Sequence, residues 1–195
     1  MSGTFPLTTG FKTLNFTSNT NTRTTISVSG KSQRLKTGAQ FWSFTLKSPK
    51  KLREDVMVDY AFLVTQDGQA ESFTIVPPTI SNSRGTASGT LTNDATVAAG
   101  QSACQTDGGS GTLKKGDLIK FSNHDKVYMI TADVTISGTN DAISFYPPLV
   151  SGITNTTTIT YNSVPFKVYL TSDNISVATT PDEMYEYEIR VNEEI

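Results

Sequence analysis

Apolar and polar positions alternate with a period of two along most of this chain, and only one stretch keeps a helical period. The clearest alternation lies in residues 38–47, where Phe41, Trp42, Phe44 and Leu46 form an apolar run and Trp42, Phe44 and Leu46 share a face. A second closes the chain, with Tyr185, Tyr187, Ile189 and Val191 set against Glu186, Glu188, Arg190 and Asn192. Each predicts a strand with one buried face. Ile159 and Tyr161, then Val164, Phe166, Val168 and Leu170, carry the same rhythm through the last quarter. Near the start, Phe11, Leu14 and Phe16 precede the polar cluster Asn19-Thr20-Asn21-Thr22, after which Thr25-Ile26-Ser27-Val28-Ser29 alternates again. Two strand-like runs around a polar turn predict a hairpin.

The helical period follows residue 47. Ser48 is placed to cap a helix, and Pro49 sits at a first position, where a missing N–H costs nothing. Leu52, Val56, Tyr60 and Leu63 then recur at helical spacing, Met57 and Val64 widen the stripe, and Asp67-Gly68 ends it. The expected contact between helix and sheet is Trp42, Phe44, Leu52, Val56, Tyr60 and Leu63.

Strand signal returns at Phe73-Thr74-Ile75-Val76 and stops at Pro77-Pro78. Residues 79–112 are mostly Ser, Thr, Gly, Asn and Ala, with isolated Ile80, Leu91 and Val97, which predicts short strands and exposed loops. Residues 116–147 are strongly β. Gly116 to Phe121 leads into a turn at Asn123-His124-Asp125, and Val127 to Ile130 is the paired strand. Ala142 to Tyr146 ends at Pro147-Pro148. The fold class is therefore all-β with one amphipathic helix. The two Pro-Pro pairs bracket the Thr/Gly-rich middle, so the expected organisation is one β-domain built from residues 1–78 and 149–195, with a small barrel, 79–148, inserted in it.

Composition sharpens this picture. Charged residues are 17% of the 195-residue chain and hydrophobic ones 36%, both modest, yet aromatics at 9% and recurring Val and Ile indicate a folded protein with a thin core. A net charge of -2 makes no global demand for a nucleic-acid or anionic-membrane partner. No apolar run approaches the ~20 residues of a membrane helix, and Met1-Ser2-Gly3-Thr4-Phe5 lacks the basic and apolar regions of a signal peptide. The lone Cys104 leaves no internal disulfide and fits a reducing cytoplasm. Asn15-Phe16-Thr17, Asn155-Thr156-Thr157 and Asn174-Ile175-Ser176 match the glycosylation acceptor pattern, as chance allows in a chain this rich in Asn, Thr and Ser.

Candidate chemistry is sparse. The single histidine, His124, lies in a predicted turn without a His/Cys cluster around it. Cys104 has no nucleophile motif. Gly108-Gly109-Ser110-Gly111 lacks the Lys-Ser or Lys-Thr and the following helix of a phosphate loop. No catalytic, metal or cofactor-binding constellation emerges, and the expectation is a non-enzyme without a cofactor. Charge, by contrast, is uneven. Lys31, Arg34, Lys36, Lys47, Lys50, Lys51 and Arg53 crowd one stretch, and Asp182, Glu183, Glu186, Glu188, Glu193 and Glu194 crowd the C-terminal one. Basic and acidic faces of this kind fit either two solvated faces or a head-to-tail contact between copies, which closes into rings or stacks into tubes.

Three blocks of motifs, in order, resemble the distal-tail-type ring proteins of tailed bacteriophages. The first is Gln40-Phe41-Trp42-Ser43-Phe44-Thr45-Leu46 with Ser48-Pro49, the helix, Ala61-Phe62-Leu63, Gln66-Asp67-Gly68 and Phe73-Thr74-Ile75. The second runs from Lys115 to Phe121, from Lys126 to Val134, and over Tyr146-Pro147-Pro148-Leu149; the third is Val164 to Leu170 with the acidic closing strand. The resemblance implies a tail-tube-like β-sandwich or barrel domain that closes with its neighbours into a hexameric ring, with the middle segment as an outward-facing small β-barrel. It implies a structural virion protein that joins the tail tube to the baseplate or tail tip and surrounds the DNA channel used in ejection. The expected partners are other copies, tube, hub and tail-tip proteins, and DNA in non-specific passage, with no membrane. The expected location is the virion tail, assembled in the host cytoplasm. The other readings are a different tail ring (tube, tube initiator or terminator), or a carbohydrate- or receptor-binding tail module using Tyr146, Tyr161 and Tyr169.

Overall fold

The structure, a computed structural model, describes residues 3–8 and 10–195. It divides into two compact units: one of Pro6–Ser72 with Val168–Glu194, the other of Phe73–Lys167 with a short N-terminal piece ending at Phe5.

The first unit is organised by a sheet whose strands run in the order β1 (Thr13–Asn19), β4 (Phe41–Lys47), β16 (Tyr185–Glu193), β14 (Phe166–Leu170) and β5 (Ser72–Ile75), with β15 (Val177–Thr179) also paired to β16. β14 and β5 straddle the division between the units. The alternation read from sequence is the one that folds: Trp42, Phe44 and Leu46 of β4 and Tyr187, Ile189 and Val191 of β16 are buried. Phe16 of β1 stacks on Trp42 and Phe44, with ring centroids 4.6 and 5.1 Å apart. That stacking accounts for the pairing of β1 with β4, residue for residue from Thr13 opposite Lys47 to Asn19 opposite Phe41.

The hairpin expected between residues 11–16 and 25–29 does not form. β2 (Thr22–Ile26) pairs instead with β3 (Ser32–Lys36), as a separate two-stranded ribbon. The reason is physical: β1 has an apolar face that β4 can cover, whereas β2 has little to bury and finds only its sequence neighbour.

The helix also starts later than expected. α1 covers Arg53–Val64, with Leu52 at the cap position and no side-chain cap. Ser48 is occupied elsewhere: its N–H donates to the Tyr187 carbonyl at 2.9 Å, and its Oγ accepts the Tyr187 N–H at 2.8 Å. Lys51 exchanges both backbone bonds with Tyr185. These contacts hold residues 48–51 along β16, and Pro49 disfavours the helical conformation at Ser48 before it.

The second unit contains a closed barrel in the strand order β10-β12-β7-β6-β13-β9. In chain order these are β6 (Leu91–Asn93), β7 (Ala103–Asp107), β9 (Leu118–Phe121), β10 (Val127–Ile130), β12 (Asp141–Tyr146) and β13 (Thr158–Thr160). Its core holds Leu91, Ile119, Phe121, Tyr128, Phe145 and Ile159. Phe121, Tyr128 and Phe145 pack edge-on, with centroids 5.3 to 5.6 Å apart. β9 and β10 form the hairpin read from the sequence around Asn123-His124-Asp125. Pro147-Pro148 follows β12 without ending the barrel, because β13 returns to pair Ile159 with Leu91 and with Phe121. Proline stops a strand, but it does not stop a domain whose next apolar residue fits the same core.

Candidate functional site: the exposed faces of the first unit

Val56 and Leu63 are the fully buried apolar residues of the helix, which contacts β16, and Trp42 and Phe44 are buried on β4. Tyr60 is half-buried and donates its hydroxyl to the Ile175 carbonyl at 3.4 Å. Leu52 does not join this contact: as the residue before the helix it is 61% exposed. The residue that sequence reasoning missed is Asp59, three positions after Val56 on the same face and completely buried. Its carboxylate accepts the Thr8 N–H at 3.1 Å and the Tyr187 hydroxyl at 2.9 Å, tying the helix to β16 by a polar bond inside an apolar layer. Only its spacing, in step with Val56 and Leu63, could have signalled it.

The opposite face of this sheet is polar. Three cross-strand rows lie on it: Thr13, Lys47 and Glu188; Asn15, Thr45 and Arg190; Thr17, Ser43 and Asn192. The formal charges in these rows nearly cancel, and Glu188 lies 3.0 Å from Arg190.

The β2–β3 ribbon is exposed at every strand position on both faces. Ile26 is 70% exposed, Leu35 66%, and Val28 at the turn is wholly in solvent. Of the basic residues expected to form a contact face, Lys31, Arg34 and Lys36 lie on this ribbon, while Lys50, Lys51 and Arg53 lie on the approach to the helix. The structure thus splits that set in two. The acidic set is also divided. Glu186 and Glu188 face outward, Glu186 3.9 Å from Lys47, and Glu194 is half-buried. Glu193 is only 2% exposed and accepts the Trp42 N–H at 3.1 Å, so it belongs to the interior and to no surface.

The residues considered for chemistry are placed structurally. Cys104 faces the barrel core, and burial pushes its thiol up to about 12. Among the described residues no group of three or more His, Cys, Asp or Glu could hold a metal ion, and no helix is long and apolar enough to cross a membrane. Tyr161 is buried with its hydroxyl on the Gly89 carbonyl, Tyr169 is half-buried and Tyr146 is exposed.

His124 closes a polar chain at the rim of the barrel. Nε2 lies 2.8 Å from the Tyr128 hydroxyl, Nδ1 lies 2.8 Å from Asn123 Oδ1, and the Tyr128 hydroxyl accepts the Val150 N–H. Asn123 Oδ1 only accepts, so Nδ1 carries the proton, and Nε2 accepts from Tyr128. Burial, with Lys120 nearby, holds His124 below its ordinary value against the opposing pull of Asp125. A depressed histidine contributes stability above its unfolded value of 6.5 and loses it as pH falls through the folded value. Thermal melting between pH 7.5 and pH 5 should fall for the native chain and be flatter for His124→Gln. Equal slopes would mean that the imidazole does not hold this rim.

Against known proteins, residues 84–164 match the family model described as the B domain of distal tail protein pb9, a span that contains all six barrel strands. Distal tail protein pb9 of Escherichia phage T5 is 29% identical over 146 residues, which are 72% of this chain and 70% of that protein. This chain is similar to a bacteriophage distal tail protein. The resemblance seen in the sequence is borne out, and it supports a distal-tail structural role. The distal-tail match in the second unit rests on the barrel, while the surfaces left uncovered described above belong to the first.

Proposed function

We propose that this chain is a ring-forming structural subunit of a bacteriophage tail, joining the tail tube to the baseplate or tail tip around the DNA channel. The observation that carries the reading is the β2–β3 ribbon. An isolated two-stranded hairpin is marginal in water, and this one holds Ile26, Val28 and Leu35 in solvent. Such a ribbon gains its stability from a neighbour. The polar sheet face beyond Glu188 supports the conduit: the row of Asn15, Thr45 and Arg190 and the row of Thr17, Ser43 and Asn192 offer hydroxyls and amides to passing DNA and carry a single formal charge, too little to hold phosphates in place. In this reading the ring wall is built from the two ends of the sequence, the barrel faces outward, and tube, hub and tail-tip proteins are the neighbours. The location is the virion tail, after assembly in the host cytoplasm.

The test is the native mass of the purified protein by light scattering, followed by negative-stain imaging. A closed oligomer of about six copies with an open centre is the expected result. A chain that stays monomeric up to the highest soluble concentration would remove the ring reading.

A further inference from the structure

Residues 1–53 hold nine of the sixteen Lys and Arg of the chain and none of its eighteen Asp and Glu. The β2–β3 ribbon is the most exposed part of that cationic stretch. Its register sets Thr24 opposite Arg34 and Thr22 opposite Lys36, so Arg34 and Lys36 share one face, two residues and about 6.6 Å apart along the strand. Ile26, opposite Ser32, lies on the same face.

A matching arrangement exists on β16. Glu186 and Glu188 share the outward face at the same two-residue spacing, again about 6.6 Å. Both border a groove made of two recesses. One is lined in part by Lys47, Ser176, Glu186 and Glu188. The other, of about 490 Å³, is lined in part by Leu170, Ile175, Ser176, Glu188 and Arg190. The two recesses adjoin at Ser176 and Glu188, which line both, while Glu186 lines the first.

We infer that the β2–β3 ribbon of one copy docks in the Glu186–Glu188 groove of a second copy, Arg34 and Lys36 each meeting one carboxylate and Ile26 resting near Ile175. This inference rests on the ring reading above and gives it a specific contact. The second copy is the occupant because the complement is encoded in the same chain: a cationic segment without a single acid, and an acidic pair at the spacing of the cationic one. The partners these acids already have do not oppose the exchange. Lys47 is 3.9 Å from Glu186, and the Glu188–Arg190 pair is solvent-exposed, so both are worth little. The contact joins two different patches, which is the heterologous geometry a ring requires.

Charge reversal tests it. Arg34→Glu/Lys36→Glu and Glu186→Lys/Glu188→Lys are made separately, their folding checked by thermal melting, and self-association is followed by sedimentation. Each alone should weaken association by about tenfold or more, because every contact then sets like charges together. An equimolar mixture of the two, or one chain carrying all four changes, should regain it to within about threefold, since opposite charges meet again. Association left intact by either reversal, or lost and not regained in the mixture, overturns the docking. So does reversal that spares association but abolishes retention of a labelled DNA duplex, which would assign the ribbon to DNA. A native chain that does not self-associate at all would instead overturn the ring reading, an outcome distinct from an intact ring indifferent to these charges.

Discussion

Replacing Val56 by aspartate should unfold the first unit at neutral pH, while the same change at Val58, one turn face away, should be tolerated. Val56 is completely buried on the face of α1 that lies on the sheet, and Val58 is 51% exposed. A carboxylate at position 56 has no partner to replace water, and an unpaired buried charge costs several kcal/mol, about 3–5 by analogy with broken buried pairs. It also stands one helical turn from Asp59, itself buried, so two like charges would share a dry layer. Against a typical total stability of about 5–15 kcal/mol for a domain, that loss leaves little or nothing. Both terms fall if the new carboxyl is protonated, so the deficit should shrink between pH 7.5 and pH 4.5. Val56→Ala, which removes bulk and adds no charge, should cost only about 2 kcal/mol. Denaturant melts of the three variants at the two pH values measure all of this. A soluble, correctly assembled Val56→Asp chain with a native-like midpoint would refute the placement of this helix face.

The same helix shows how far the sequence could be read. The stripe through Val56 and Leu63 was legible because those residues are apolar and correctly spaced. Asp59 was not, since a carboxylate within such a stripe looks like a solvated position until Tyr187 and Thr8 are brought to it from distant parts of the chain. Ser48 failed for a related reason. Ser-Pro is a helix-start signal, but the backbone of Ser48 had a stronger claim on it from Tyr187, 139 residues away. β4 and β16 were legible because strict alternation leaves one choice of buried face. The partner of β1 was not, because two strands near a polar turn pair only if neither has a better surface to cover, and Phe16 had Trp42 and Phe44. The ribbon that remains, and the groove beside Glu186 and Glu188, are surfaces defined by what does not cover them, and periodicity carries no record of that. Glu193 makes the complementary point: a charge next to the chain end reads as solvated until its carboxylate is seen on the Trp42 amide. The resemblance to distal tail proteins, by contrast, was carried by short motifs whose order survives without knowledge of any contact.

In the second unit the largest single-site effect should come from the smallest change, Gly85→Ala. The segment leading into the barrel runs against β8 (Gly111–Leu113), with the Ala87 N–H on the Thr112 carbonyl at 3.0 Å and the Thr86 N–H on Thr112 Oγ1 at 3.2 Å. A Cβ added at Gly85 would stand 1.9 Å from the Thr112 carbonyl oxygen and 2.6 Å from its carbon. Both are backbone atoms of a paired strand, since Thr112 lies opposite Thr135 of β11 (Val134–Ile136), so neither can swing aside as a side-chain tip would. Relief requires the segment to lift by about 1 Å or more, which strains or breaks the bonds from residues 86 and 87 and disturbs the anchor next to them. At that anchor Asp117 accepts from Ser83 Oγ, Arg84 N–H and Lys114 N–H, and these hydrogen bonds hold its carboxyl below the usual range despite burial. Overpacking of this kind costs about 1–3 kcal/mol and each backbone bond lost about 1 more, so about 3 kcal/mol is expected in total. Gly100→Ala is the control that separates crowding from conformation. Gly100 has a φ of +87° but nothing within 4 Å of its added Cβ, so it should lose only the roughly 1 kcal/mol that a left-handed backbone costs an L-residue. Calorimetry on the two variants should therefore rank Gly85→Ala well below Gly100→Ala. The reverse order, or a Gly85→Ala midpoint equal to that of the native chain, would mean that residues 83–87 do not pack on β8, and that the start of the span matching the pb9 B domain lies free of the barrel it precedes.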